Sequence, residues 1–115
     1  MVRRRSEMVS EVRERMRGGS GSVEILHVFR TEELRGRVRL VARLRLAQGA
    51  SIGLHRHDSE EEIFYIIAGA GLVNDDGRVT RVKPEDATLT GGGASHSIEN
   101  QQAEPLEIMA VILPF

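Results

Sequence analysis

The chain has no cysteine, no tryptophan, only three prolines, and four aromatic residues, Phe29, Phe64, Tyr65 and Phe115. Without cysteine there can be no disulfide framework, thiolate metal site, iron–sulfur cluster or thiol nucleophile, so any metal must be held by nitrogen and oxygen. Long apolar runs are also missing. None approaches the ~20 residues that cross a bilayer, and the first residues lack the apolar stretch of a signal peptide, so a cytoplasmic protein with no membrane partner is expected. The length, 115 residues, is that of one domain with one core.

The charge is nearly balanced, 16 basic against 17 acidic side chains, but it is unevenly placed. Residues 1–45 carry 12 basic and 6 acidic groups, and residues 46–115 carry 4 and 11. The two parts could attract each other within one fold or between two chains. The basic part does not read as a nucleic-acid surface. Its arginines alternate with apolar residues, aromatic stacking partners are scarce, and the total is not basic.

Met8, Val12 and Met16 fall at i, i+4 and i+8, the spacing of one helical face, so residues 1–17 are expected to form a short helical arm. Gly18-Gly19-Ser20-Gly21-Ser22 breaks that pattern and reads as a flexible joint, which divides the chain into an arm, 1–22, and a globular part, 23–115. From Val23 the period becomes two. Val38, Leu40, Ala42, Leu44 and Leu46 alternate with Arg37, Arg39, Val41, Arg43 and Arg45, and Leu106, Ile108, Ala110 and Ile112 repeat the pattern near the C-terminus. Between them lie strand candidates at 52–57, 61–67, 71–74, 78–82, 87–90 and 95–99, with Asp76-Gly77 a hairpin signal. Many short strands in one small domain predict an all-β sandwich or barrel. Thr31-Glu32-Glu33 resembles a helix start.

Three of the four histidines are placed as ligands would be. His55 and His57 are one residue apart, so on a strand both project to one face. Glu62 follows on the next strand, sharing a face with Phe64 and Ile66. An ionised carboxylate there is costly unless paired, and a divalent cation shared with imidazoles is a suitable partner. His96 lies after a triple glycine, on a strand where Ile98 shares its face. His27, alone beside Ile25 on an amphipathic stretch, reads as a core-edge or surface histidine. Asp58, Glu60 and Glu61 read as an acidic, solvated rim.

The spacing Gly49-(x5)-His55-x-His57-(x4)-Glu62-(x6)-Gly69 resembles the first motif of the cupin family at every specified position. The family's second motif aligns with Glu85, Gly91, Gly93, His96 and Asn100, where Glu85 replaces a glycine and Gly91 a proline. The resemblance covers roughly residues 36–113. It implies a double-stranded β-helix, a jelly-roll cupin barrel, with a divalent metal held by His55, His57, Glu62 and His96. Manganese is the expected ion, with Fe, Zn, Ni and Co also compatible with a nitrogen and oxygen set.

Three imidazoles and one carboxylate leave a six-coordinate ion two open positions. A small carboxylate or other oxygen-rich molecule is the expected ligand. Alternatives are dioxygenase-type chemistry on a neutral substrate and purely non-enzymatic binding, since the fold alone names no reaction. By strand phase the pocket is expected to be lined by Phe64, Ile66, Leu72, Leu89, Ile98 and Ile108 and to offer few charged partners besides the metal. The oxalate-decarboxylase group, which this chain resembles, places an Arg three residues before the first metal histidine, where this chain has Ile52. A homodimer is expected from edge strands needing cover and from the Arg-rich face of residues 37–45.

Overall fold

The alternating apolar residues sort into ten strands packed as two facing sheets. A computed structural model describes all residues, Met1–Phe115. The strands are β1 (Val9–Glu14), β2 (Ser22–His27), β3 (Leu40–Leu46), β4 (Ser51–Arg56), β5 (Glu60–Ala68), β6 (Gly71–Asp75), β7 (Arg78–Val82), β8 (Ala87–Gly91), β9 (Ser95–Glu99) and β10 (Leu106–Pro114). The larger sheet runs β1-β2-β3-β10-β5-β8 and the smaller β4-β9-β6-β7, every pairing antiparallel. This is a jelly roll in which no hydrogen-bonded ladder joins the two sheets. The strand candidates from residue 52 to residue 99 all appear, within one or two residues of their expected ends.

Period-two alternation fixes which face is buried. In β3, Ala42, Leu44 and Leu46 point inward, and β10 sets Leu46, Leu44, Ala42 and Leu40 opposite Leu106, Ile108, Ala110 and Ile112. Phe64 and Ile66 from β5, Ile52 from β4, Val73 from β6 and Ile98 from β9 complete a core that spans both sheets. On the outer face Arg43 reaches Glu24 at 3.2 Å and Arg45 reaches Glu107 at 3.6 Å. Two of the arginines expected to await an acidic partner chain thus meet carboxylates of their own sheet.

The helix expected over the N-terminal arm does not form. Residues 9–14 are instead a strand, β1, paired with β2 from Val9 opposite His27 to Glu14 opposite Ser22, and only single 3-10 turns, Arg5–Glu7 and Met16–Gly18, flank it. A short helix with one narrow apolar stripe is marginal in water, whereas the open edge of β2 offers a full ladder of partners. Of the supposed stripe, Met16 packs against the core and Val12 lies exposed. The Gly/Ser run is likewise held in place. Ser51 N donates to Ser20 O at 2.8 Å and Ser20 N to Ser51 Oγ at 2.9 Å, which ties the β1–β2 loop to β4 of the other sheet. Thr31–Glu33 is a single 3-10 turn, with Arg30 N donating to the Glu33 carboxylate.

Both departures from the second motif have a physical reading. A side chain at Gly91 would come within 2.4 Å of Glu60 O and Glu61 Cα, so β8 requires glycine there. Glu85 adopts φ +76 in the turn Lys83-Pro84-Glu85-Asp86, where Asp86 N donates to Lys83 O at 3.0 Å. Proline followed by a left-handed residue is the pattern of a type II turn, which favours glycine at that second position. Relieving the left-handed strain outweighs the added freedom of the unfolded chain. Glu85→Gly is therefore expected to stabilise the fold by about 0.5–1 kcal/mol. Urea denaturation checks this, and an unchanged or lowered midpoint would contradict it.

Candidate metal centre

A regular strand cannot point both Ile52 and His55 into the core, because they differ by an odd number of residues. In β4 both do. Ile52 pairs with Ile98 of β9, yet His55, not Leu54, pairs with His96, so a bulge at Gly53-Leu54 inserts one extra residue and reverses the phase. Leu54 is turned outward and exposed, while His55 and, past the end of the strand, His57 face the interior. The bulge is held from outside by the β1–β2 loop. A Cβ on Gly53 would lie 2.1 Å from Arg17 O, so only glycine allows that approach.

The two sheets bring four donors together. His55 and His57 come from β4 and its extension, His96 from β9 and Glu62 from β5 across the sandwich, and their ligand atoms all lie within 4.8 Å of one another. His57 Nε2 is 3.0 Å from His96 Nε2, and His96 Nε2 is 3.2 Å from His55 Nε2. Glu62 Oε1 is 3.0 Å from both His57 Nε2 and His96 Nε2. His57, Glu62 and His96 are buried, and the ring of Phe64 stacks on that of His96 with centroids 4.9 Å apart.

Proton placement shows what this cluster requires. The Nδ1–H of His55 donates to Gly53 O at 2.7 Å, and that of His57 donates to Glu60 Oε1 at 2.7 Å. In the neutral tautomer that makes these bonds, each ring carries its lone pair on Nε2, the atom that points into the cluster. Burial, reinforced by the neighbouring imidazoles, lowers the pKa of His55, which favours the neutral ring. Converging lone pairs in a buried site repel unless a proton or a metal ion lies between them. Ligands about 2.0–2.2 Å from one ion sit roughly 3.0–3.5 Å apart in octahedral or tetrahedral arrangements, and the four separations that involve His57–His96, His96–His55 and Glu62 with His57 and His96 fall in that range, with all six within 4.8 Å. His55, His57, Glu62 and His96 could hold a metal ion, and the donor chemistry fits one. His96 Nδ1 is buried without a hydrogen-bond partner, so nothing in the chain engages that ring's outer nitrogen.

Glu60 belongs to the site, not to a solvated rim. Its carboxylate accepts from His57 Nδ1 and also from Arg39 Nε at 2.7 Å and Arg39 Nη2 at 2.9 Å. The Arg39 hydrogen bonds, with help from that of His57, pull its pKa down to about 2. The signal was available in the parity of β5, since Glu60 shares a face with Glu62. Glu61 takes the opposite phase, and Asp58 is exposed with Arg56 Nε 2.7 Å away.

The cavity over the donors has a volume of about 170 Å³. Of the expected lining residues only Phe64 reaches it, joined by Ile52, Ile25, Leu40, Leu44 and Ile112. Ile66, Ile98 and Ile108 lie in the core, and Leu89 is exposed because its pairing with Ile63 puts it on the outer face. The expectation of few charged partners is overturned. Arg13, Arg17, Arg39 and His27 all line the cavity, two of those arginines coming from the N-terminal arm. His27 lies there with Nε2 3.5 Å from Glu11 Oε2. Arg13 and Arg17 were missed because the pairing of β1 with β2 cannot be read from the local pattern of residues 1–17.

Known proteins resemble this chain along its whole length. An oxalate-binding protein of Thermotoga maritima is 44% identical over 113 residues, covering 98% of this chain and 93% of that protein. The crystal structure of a predicted oxalate decarboxylase from Thermotoga maritima superposes with a TM-score of 0.95 at 43% identity, covering 100% of both chains. The polyketide cyclase RemF from Streptomyces resistomycificus, at 19% identity and a TM-score of 0.79 over 99% of this chain and 80% of its own, shares the fold. No helix is long and apolar enough to cross a membrane. The family profile described as a cupin domain matches residues 42–112, which include His55, His57, Glu62 and His96, and the chain belongs to the cupin family.

Proposed function

We propose that this protein holds one divalent transition metal on His55, His57, Glu62 and His96 and binds a small carboxylate of the oxalate class directly on that metal. The observation that carries the proposal is the convergence of three imidazole Nε2 atoms and one carboxylate oxygen within 4.8 Å of one another, His96 and Glu62 making neighbours at 3.0–3.2 Å. The kinship with an oxalate-binding protein over 98% of the chain supports the ligand class. Manganese is the proposed ion, and Fe, Zn, Ni and Co suit the same donors. When bound, the ion supplies Lewis-acid attraction for an anionic oxygen.

The remaining roles belong to the chain. Gly53 O and Glu60 fix the two β4 imidazoles through their Nδ1–H groups, so that each presents its Nε2 lone pair. Arg39 holds Glu60 ionised and in position. Phe64, Ile52 and Leu44 surround the donors with apolar surface that keeps bulk water away. The volume of about 170 Å³ is below the ~300–1,000 Å³ common for drug-sized ligands and suits a molecule of few atoms.

Protein purified after growth with manganese and dialysed should carry close to one divalent ion per chain by elemental analysis. The His55→Ala, His57→Ala double variant should fall to background, and undiminished metal in it would contradict the ligand assignment. Glu60→Gln should retain the fold and bind metal about 10-fold more weakly in a chelator competition, because the ring it orients loses its anionic partner. Equal affinity would remove Glu60 from the site.

Oxalate should raise the melting temperature of the metal-loaded protein by several degrees and leave the metal-free protein unchanged. At about 100 times Kd the expected stabilisation is about 2.7 kcal/mol. Equal stabilisation of both forms, read by differential scanning fluorimetry, would show that the ligand does not sit on the metal.

A further inference from the structure

Of the three arginines that line the cavity, two are already engaged. Arg39 gives two hydrogen bonds to Glu60, and Arg13 Nε lies 2.7 Å from Glu11 Oε1. Arg17 has no carboxylate within ion-pair distance, although it borders the same space as His55, His57 and Glu62.

The backbone that presents Arg17 is unusual and firmly held. Arg17 lies at φ 55, ψ 33 and Arg15 at φ 51, ψ 47, both left-handed conformations that cost a non-glycine residue about 1–2 kcal/mol. The surroundings enforce this turn. Gly18 N donates to Arg15 O and Gly19 N to Met16 O, each at 3.0 Å, and Met16 between the two arginines packs on the core. Two glycines permit the docking onto β4. A Cβ on Gly19 would lie 2.2 Å from Ser51 O, and one on Gly53 would lie 2.1 Å from Arg17 O. Strained backbone that its neighbours over-determine is characteristic of ligand clamps. The same loop also secures the bulge that aims His55, so one element supports a candidate metal donor and carries an arginine that lines the cavity.

Building on the carboxylate-on-metal reading above, we propose that Arg17 binds the far end of the ligand, so that the site selects small dianions, dicarboxylates above all, over monocarboxylates. A guanidinium offers a planar fork that matches a carboxylate with two parallel hydrogen bonds. In a cavity of about 170 Å³, a ligand with one carboxylate on the donor cluster has its second group close to the remaining lining, and Arg17 is the lining cation without a partner there.

The test is calorimetric titration of the manganese-loaded full chain with oxalate and, separately, with acetate. Arg17→Asn is the main variant, since asparagine tolerates the left-handed turn. It should weaken oxalate binding about 10-fold or more while changing acetate binding less than twofold, with metal content and unliganded melting temperature as in the wild type. Arg17→Lys, which makes the same backbone demand and keeps the charge without the fork, should fall between the two. Oxalate affinity untouched in both variants, or oxalate and acetate weakened by the same factor, would overturn the clamp while leaving the carboxylate reading intact. If wild-type protein bound neither anion, the carboxylate reading would fail and the clamp with it.

Discussion

The convergence of three imidazole nitrogens and one carboxylate on a single buried point is the constraint on which this molecule depends. Two of three imidazoles commit their Nδ1–H groups to Gly53 O and Glu60, and what remains is aimed at the carboxylate of Glu62 on the opposite sheet. A jelly roll without a ladder between its sheets is held across its middle by apolar packing, and here part of that middle is polar. A cation placed there converts mutual repulsion into a link between β4, β9 and β5. The same cation would be the strongest attraction for an anion entering the cavity.

The geometry rests on one extra residue in β4. Without the bulge at Gly53-Leu54, a strand with Ile52 in the core would send His55 and His57 to solvent and draw Leu54 and Arg56 inside. The bulge survives because the β1–β2 loop presses on it, with Gly53 and Gly19 bare enough to let two backbones meet. That loop belongs to the segment that, by composition, resembles a detachable arm. It is tied to the small sheet through Ser20 and Ser51, to the large sheet through β1, and to the core through Met16. Domain and arm thus share the work of shaping one pocket.

The jelly-roll strands were largely legible in the sequence because their signals are local, although they form two facing sheets and not a closed barrel. Alternation in residues 40–46 and 106–112 and the Gly, Asp and Pro breaks between the short strands each depend on neighbours a few positions away. The four side chains that cluster here were legible through motif spacing. What stayed hidden depends on distant partners. Met8, Val12 and Met16 fit a helical stripe, and only the open edge of β2 decides that residues 9–14 become a strand. Leu89 fits an inward phase until its pairing with Ile63 turns it out. Glu60 resembles a loop charge until Arg39, 21 residues earlier, is brought beside it. The charged character of the cavity follows from these same long-range pairings, since Arg13, Arg17 and Arg39 all reach it through the larger sheet or its loops.

A small cavity with apolar walls, a metal-capable floor and arginines at its border is suited to a compact anion. It has little room for a bulky neutral substrate. The central claim is that one ion occupies the point shared by the three Nε2 atoms and Glu62 Oε1 and that the anion is bound to that ion. Anomalous diffraction at the manganese edge, from crystals grown with manganese and oxalate, addresses it most directly. A single strong anomalous peak is expected among His55, His57, Glu62 and His96, with oxalate density touching it. A manganese-loaded crystal with no peak there, or with oxalate bound away from the ion, would contradict it.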